Sequence, residues 1–223
     1  MGTAGAGQAR SLSWLGGIAQ TLVVLALFLA ASGDAFAAAA SQAAPKGQAP
    51  AGASVLSALR QGGYILYFRH AATDFSQNDD QMTGFEDCSR QRNLTDGGRA
   101  DARAIGAAIR SLGIPIGEVL ASPFCRTRET AELIFGRATI STAVRGGPAN
   151  AEGGRYDELR ALLARRVSPG NVNLVISSHG NPYAAVVGTP YLAEGEAAVI
   201  QPMDGNVFRV VTRIKKDEWS TLR

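Results

Sequence analysis

At 223 residues and 46% hydrophobic content, the chain can bury a full core, and its length favours one catalytic-sized domain over two. A formal net charge of +3, with no long basic run, excludes a nucleic-acid groove even though the isoelectric point is near 9.1. Arg10 precedes an uninterrupted apolar stretch from Thr21 to Ala31, followed by small residues ending in Ala35-Phe36-Ala37. That order of basic, apolar and small-residue regions predicts a signal peptide over residues 1–37, removed on export to a periplasm or to the exterior. A retained membrane anchor is the competing reading, but the apolar run is shorter than the roughly 20 residues a span requires. No cysteine stands directly after the run, which argues against a lipid-modified N-terminus. Cleavage would remove one cation and one anion, Arg10 and Asp34, and leave a domain with no stable membrane association.

Residues 38–53, rich in Ala, Gly, Gln and Pro, predict a flexible linker, and the folded domain is expected over 54–223. Tyr64 to Phe68 (YILYF) reads as a short buried strand ending at Arg69-His70. Thr95 then precedes Asp96 to Leu112, where Ala102, Ile105, Ala108, Ile109 and Leu112 recur at helical spacing before Gly113 and Pro115. Glu118 to Ala121 predicts a second strand, with Ser122 as N-cap and Pro123 at the first position of a helix running to Phe135. The Gly- and Thr-rich stretch 137–154 reads as a long loop with room for one short strand. A helix over Tyr156 to Arg166 and a third strand over Asn173 to Ser177 follow, with two more strands near Ala197 to Gln201 and Val207 to Ile214. Strands alternating with helices predict a single three-layer α/β/α domain with a largely parallel central sheet, whose site lies beyond the carboxyl ends of the strands. Cys88 and Cys125 both lie in this exported domain, where an oxidising compartment favours their pairing; two small buried thiols are the alternative.

The chain holds only two histidines, and each follows a predicted buried strand: His70 after YILYF and His179 after LVISS. Equivalent positions on a parallel sheet point to convergence at one site. Arg69 adjoins the first histidine, and Arg126 starts a helix just beyond the second strand, where free N–H groups also favour an anion. Two arginines with two histidines point to phosphate. A solvated helix face would account for Arg126 and Arg128 individually, but not for the combination.

These segments resemble the histidine phosphatase superfamily, in the branch of the cofactor-dependent phosphoglycerate mutases. Arg69-His70-Ala71 stands where that branch has R-H-G. Ser122 to Thr130 matches its S-x-L-x-R-x-x-x-T segment except at the third position, Ser178-His179-Gly180 matches its S-H-G, and Leu94 to Ala102 its L-T-x-x-G-x-x-x-A. Four motifs in the expected order, from Tyr64 to Pro182, are far more specific than one R-H pair. The resemblance implies a phosphoglycerate mutase-like fold. It makes His70 the phosphate acceptor, with Arg69, Arg126 and His179 around the transferred phosphoryl group. Thr73, Ser76 and Arg90 are further phosphate- or substrate-binding candidates. No cofactor is expected. Nor is a metal, since two histidines flanked by arginines make a poor dication site.

Ala71 departs from the family's glycine, a change tolerable away from positive φ, although the methyl group is expected to crowd the pocket. The general acid is unassigned. Glu152, Asp157 and Glu158 lie in one region where relatives carry it, Gly180 occupies the other, and Asp74, Glu194 or Glu196 could reach the site from elsewhere. The resemblance implies an exported phosphomonoesterase acting on a sugar phosphate or other small organic phosphate. A phosphohistidine protein phosphatase, a silent phospho-ligand binding module and a structural envelope protein stand as alternatives. Oligomeric state is not readable from the sequence.

Overall fold

Side-chain alternation along the first strand divides the core in two. In β1 (Ile65–Arg69), Leu66 and Phe68 enter one apolar cluster with Val175, Val199 and Trp219, while Ile65 and Tyr67 enter another with Ile176, Ala198 and Leu159. The computed structural model describes residues 54–147, 154–168 and 170–223. The expected export signal at 1–37, the linker at 38–53 and the candidate acid Glu152 fall outside the described residues.

Helices α1 (Val55–Gln61), α2 (Asp96–Ser111) and α3 (Cys125–Phe135) cover the first face through Leu56, Leu59, Ala102, Ile105, Ile109 and Ile134. Helices α4 (Asp157–Ala164) and α5 (Gly180–Val187) cover the other through Leu159, Leu163, Tyr183 and Val186. Burying each such side chain stabilises the fold by about 1.5–3 kcal/mol before the entropy of ordering is counted. The layers are therefore those of a single α/β domain with a phosphoglycerate mutase-like architecture.

The sheet adds β2 (Ile116–Ala121), β3 (Thr139–Ile140), β4 (Asn173–Ser178), β5 (Ala197–Met203) and β6 (Val207–Ile214), in the order β3-β2-β4-β1-β5-β6. The four strands β3, β2, β4 and β1 are parallel, as the alternation of strands and helices predicts. β5 runs antiparallel to β1, and β6 antiparallel to β5. The reason for the last reversal is local: β5 and β6 are joined by Asp204-Gly205-Asn206, with φ of 80° at Gly205 and 58° at Asn206, the left-handed geometry of a hairpin turn.

Two differences from the sequence expectation fall at the strand ends that carry the histidines' surroundings. Helix α3 begins at Cys125, with Phe124 rather than Ser122 at the N-cap position, because the Ser122 hydroxyl is engaged with His179 instead. Helix α5, which the sequence pattern did not single out, starts immediately after His179. Cys88 and Cys125 are joined as a disulfide across 37 residues.

Candidate active site

Three parallel strands end together and set the site. The His70 amide donates to the Ser178 carbonyl at 3.0 Å, and the Ser122 amide donates to the Ser177 carbonyl at 3.0 Å, so the residues following β1, β2 and β4 are fixed against each other. His70 and His179 meet edge to face with ring centroids 5.5 Å apart. Together with Arg69, Arg92, Arg126, Gly180, Asn181 and Tyr191 they line a cleft of about 310 Å³.

The segment after His70 is clamped from two helices. Thr130 on α3 accepts the Ala71 amide at 3.0 Å and donates to the Arg126 carbonyl at 2.7 Å, linking the histidine turn to the arginine helix. Thr95 caps α2 by accepting from the Gly98 amide at 2.9 Å, and its own amide donates to the Ala72 carbonyl at 2.9 Å. Gly98 is required here, since a Cβ would stand 2.2 Å from the Ala72 oxygen. Ala71 does not crowd the cleft as expected: its methyl is buried in the first core cluster, and its φ is not positive.

The imidazole of His70 is 2% exposed. Its Nδ1 lies 2.9 Å from the Ala71 carbonyl, which can only accept, so Nδ1 carries the hydrogen and Nε2 keeps its lone pair. Burial, with further lowering by the Arg126, Arg69 and Arg92 cations, brings the His70 pKa down to about 3 against the pull of the Ala71 hydrogen bond. His179 is held well below the ordinary histidine value, first by burial and then by His70 and the same cations. Its Nε2 hydrogen-bonds the Ser122 hydroxyl at 2.9 Å, Phe124 packs edge-on at 4.9 Å, and Tyr67 donates to its backbone carbonyl at 2.9 Å. Gly146 presses so close to the ring that a Cβ there would sit 2.7 Å from it. Both rings are therefore neutral across the physiological range.

Arginines fill the rest of the cleft wall. Arg69 donates to the Leu192 carbonyl at 2.8 Å and lies 3.5 Å from Glu194. Arg126 makes a two-pronged pair with Asp79, both contacts 3.0 Å, and its guanidinium stacks 4.4 Å from the Phe124 ring centre. Among the described residues, five buried side-chain nitrogens have no hydrogen-bond partner. Three of them are the Nε atoms of Arg69, Arg92 and Arg126. An unpaired buried donor costs about 1–3 kcal/mol, so their concentration in one cleft marks a site built for an acceptor. The N-terminus of α5, at Gly180, adds backbone donors to the same wall.

The remaining candidates lie elsewhere. Thr73 does not line the cleft; its hydroxyl and amide donate to Glu194 at 2.7 and 3.2 Å. Ser76 is exposed and bonded to Asp74, and Arg90 is exposed and paired with Asp87 at 3.3 Å. Glu194 stands 3.8 Å from His70 Nδ1, on the side of the ring away from the free nitrogen. Glu196 is held by Arg213 at 2.7 and 2.6 Å, and Asp157 and Glu158 open the first turn of α4. Asp79, which no sequence pattern indicated, is the carboxylate that grips Arg126. Among the described residues, no three His, Cys, Asp or Glu side chains cluster closely enough to hold a metal ion.

Residues 65–166 match the family model of the histidine phosphatase superfamily, branch 1. No curated protein matches the sequence. Among solved structures, the protein histidine phosphatase SixA complexed with tungstate is similar at 17% identity and a TM-score of 0.50, over 70% of this chain and 98% of that one. A mycobacterial glucosyl-3-phosphoglycerate phosphatase complexed with VO3 is similar at 16% identity and a TM-score of 0.50, over 67% of this chain and 97% of that one. At such identities the structural likeness speaks for the fold alone. The family match covers the segment that carries β1, Arg69-His70 and Arg126, so this part of the chain is similar to the histidine phosphatase superfamily, branch 1.

Proposed function

We propose that the protein is an exported phosphatase that hydrolyses phosphomonoesters through a phosphohistidine on His70. The observation that carries this reading is the tautomer of His70: Nδ1 is tied to the Ala71 carbonyl, leaving Nε2 as a neutral nucleophile in a cleft walled by guanidinium groups. Nε2 attacks phosphorus, the ester P–O bond breaks, and the departing oxygen takes a proton from solvent water. Water then attacks phosphorus, the P–N bond breaks, and neutral His70 is regenerated with inorganic phosphate. Arg69 and Arg126 hold the non-bridging oxygens, while His179, kept neutral and fixed by Ser122, supports the same group. The cleft of about 310 Å³ fits a small phosphorylated substrate better than a folded partner.

Export rests on the N-terminal pattern of residues 1–37 and agrees with the Cys88–Cys125 bridge, since disulfides persist in oxidising compartments.

One observation favours a narrower version. Among the described residues lining the cleft there is no carboxylate, so a leaving group that needs little protonation suits it better than an alkyl alcohol. Aryl phosphates, acyl phosphates and phosphohistidine meet that condition. Of the two similar structures, one is named as a protein histidine phosphatase and the other as a glucosyl-3-phosphoglycerate phosphatase, so both kinds of leaving group occur on this fold.

The test is hydrolysis of an aryl and an alkyl phosphate by the full chain without added metal, beside the His70→Ala variant. Turnover that vanishes in the variant supports the reading, with the aryl-to-alkyl rate ratio reporting the need for an acid. Phosphate binding without turnover would leave a binding module in its place.

A further inference from the structure

We propose that Arg92 is a third phosphoryl-binding residue and that it makes the cleft selective for dianionic oxyanions. The proposal rests on the reading of the cleft as a phosphoryl site and adds a residue that neither the motifs nor their spacing mark.

Arg92 lines the cleft beside Arg69 and Arg126. Its Nε is one of the three buried unpaired guanidinium nitrogens there, and among the described residues its side chain makes no hydrogen bond or ion pair. The backbone of Arg92 is nevertheless held firmly. Its amide donates to Asp79 at 2.9 Å, and its carbonyl accepts from Arg126 at 3.3 Å. The carboxylate that grips Arg126 thus also fixes Arg92, and the guanidinium is seated 4.8 Å from the ring centre of Phe75. A fixed backbone with an unengaged cationic head is the arrangement expected of a ligand-binding arginine.

The charge balance makes Arg92 decisive. Arg69 is offset by Glu194 and Arg126 by Asp79, while both histidines are neutral. Among the described residues, only Arg92 brings an uncompensated positive charge to the wall. A second negative charge on the ligand is therefore met chiefly by Arg92, and removing it should weaken dianions more than monoanions of the same shape.

Tungstate and perrhenate are tetrahedral oxyanions of similar size carrying two charges and one, so calorimetric binding of each to the full chain separates charge from shape. Arg92→Met keeps a long side chain against Phe75 without the cation, and Arg92→Lys restores the charge. Loss of one charge-assisted contact predicts that tungstate binds Arg92→Met about 10- to 100-fold more weakly than wild type. Perrhenate should change by a smaller factor, and Arg92→Lys should recover part of the tungstate affinity. Equal losses for both anions, or wild-type tungstate affinity in Arg92→Met, would overturn the proposal. If the wild-type chain itself binds no tungstate, the phosphoryl reading of the cleft fails, and this proposal fails with it.

Discussion

Two depressions meet residues of helix α3, and both are lined by arginine. The larger, about 650 Å³, contains Arg99 and Arg128; the smaller, about 310 Å³, contains Arg69, Arg92 and Arg126. Helix α3 serves both: Cys125, Arg128, Glu129 and Glu132 follow helical spacing along one face, while Arg126 is turned toward the other depression. In the larger one the cations are answered. Arg99 pairs with Glu129 at 2.6 and 3.3 Å, and Arg128 lies 3.7 Å from Glu86 and against both sulfurs. In the smaller one every arginine keeps a buried donor without a partner among the described residues, beside a histidine held neutral. The two depressions differ in unmet donor capacity, not in having arginines, and that difference is the ground for reading the smaller one as the anion site.

The largest change should come from the disulfide that lines the larger depression. Replacing both Cys88 and Cys125 by serine frees a 37-residue loop, and the chain-entropy model assigns such a closure about 4 kcal/mol. Urea unfolding of the double variant should show a loss of that order. A loss below about 1 kcal/mol would mean that the loop is held by its hydrogen bonds alone. Next in size, Arg126→Ala should lower kcat/KM by about 10²- to 10³-fold, as removal of one transition-state donor does.

Acid should then separate the two regions thermodynamically. The folded pKa of His70, about 3, lies below its unfolded value near 6.5, so the unfolded chain binds the proton more readily. The stability this neutral group preserves is complete above pH 6.5 and is lost as pH falls toward 3. At about 1.4 kcal/mol per pH unit, acidification from pH 7 to 4.5 should cost the wild type roughly 2–3 kcal/mol more than a His70→Asn variant. Parallel stability curves for the two proteins would contradict the assigned burial. The smallest effect belongs to the larger depression. Arg99→Ala breaks a partly exposed pair, so stability should change by less than about 1 kcal/mol and kcat/KM by less than about twofold.

The parts of the site legible in the sequence are those that regular structure delivers. His70 and His179 follow short apolar strands, and the parallel register brings strand ends together, so apolar runs plus two rare residues foretell their meeting. Arg126 is similarly delivered by the first turn of α3. Asp79 and Arg92 are not legible in this way. They come from the long segment between β1 and α2, whose path follows individual side-chain bonds such as Asn93 amide to Gln77 at 2.9 Å and Cys125 amide to Gln91 at 2.9 Å, together with the disulfide. No periodicity records such contacts. Thr73 and Ser76 sit near the motif in sequence, but Glu194 and Asp74 take their hydroxyls, so proximity along the chain misleads there. The antiparallel half of the sheet also escapes a strand-and-helix alternation, because β5 and β6 are related by a tight turn with no helix between them.

The central claim is that His70 Nε2 receives the phosphoryl group. The direct measurement is trapping by an alkaline denaturing quench during turnover of a phosphate ester carrying radiolabelled phosphorus, on wild type and His70→Ala, with the linkage tested by its stability in base and lability in acid. The account predicts a base-stable, acid-labile phosphoenzyme in wild type and none in His70→Ala. Label retained in His70→Ala, or undiminished turnover by that variant, would contradict it.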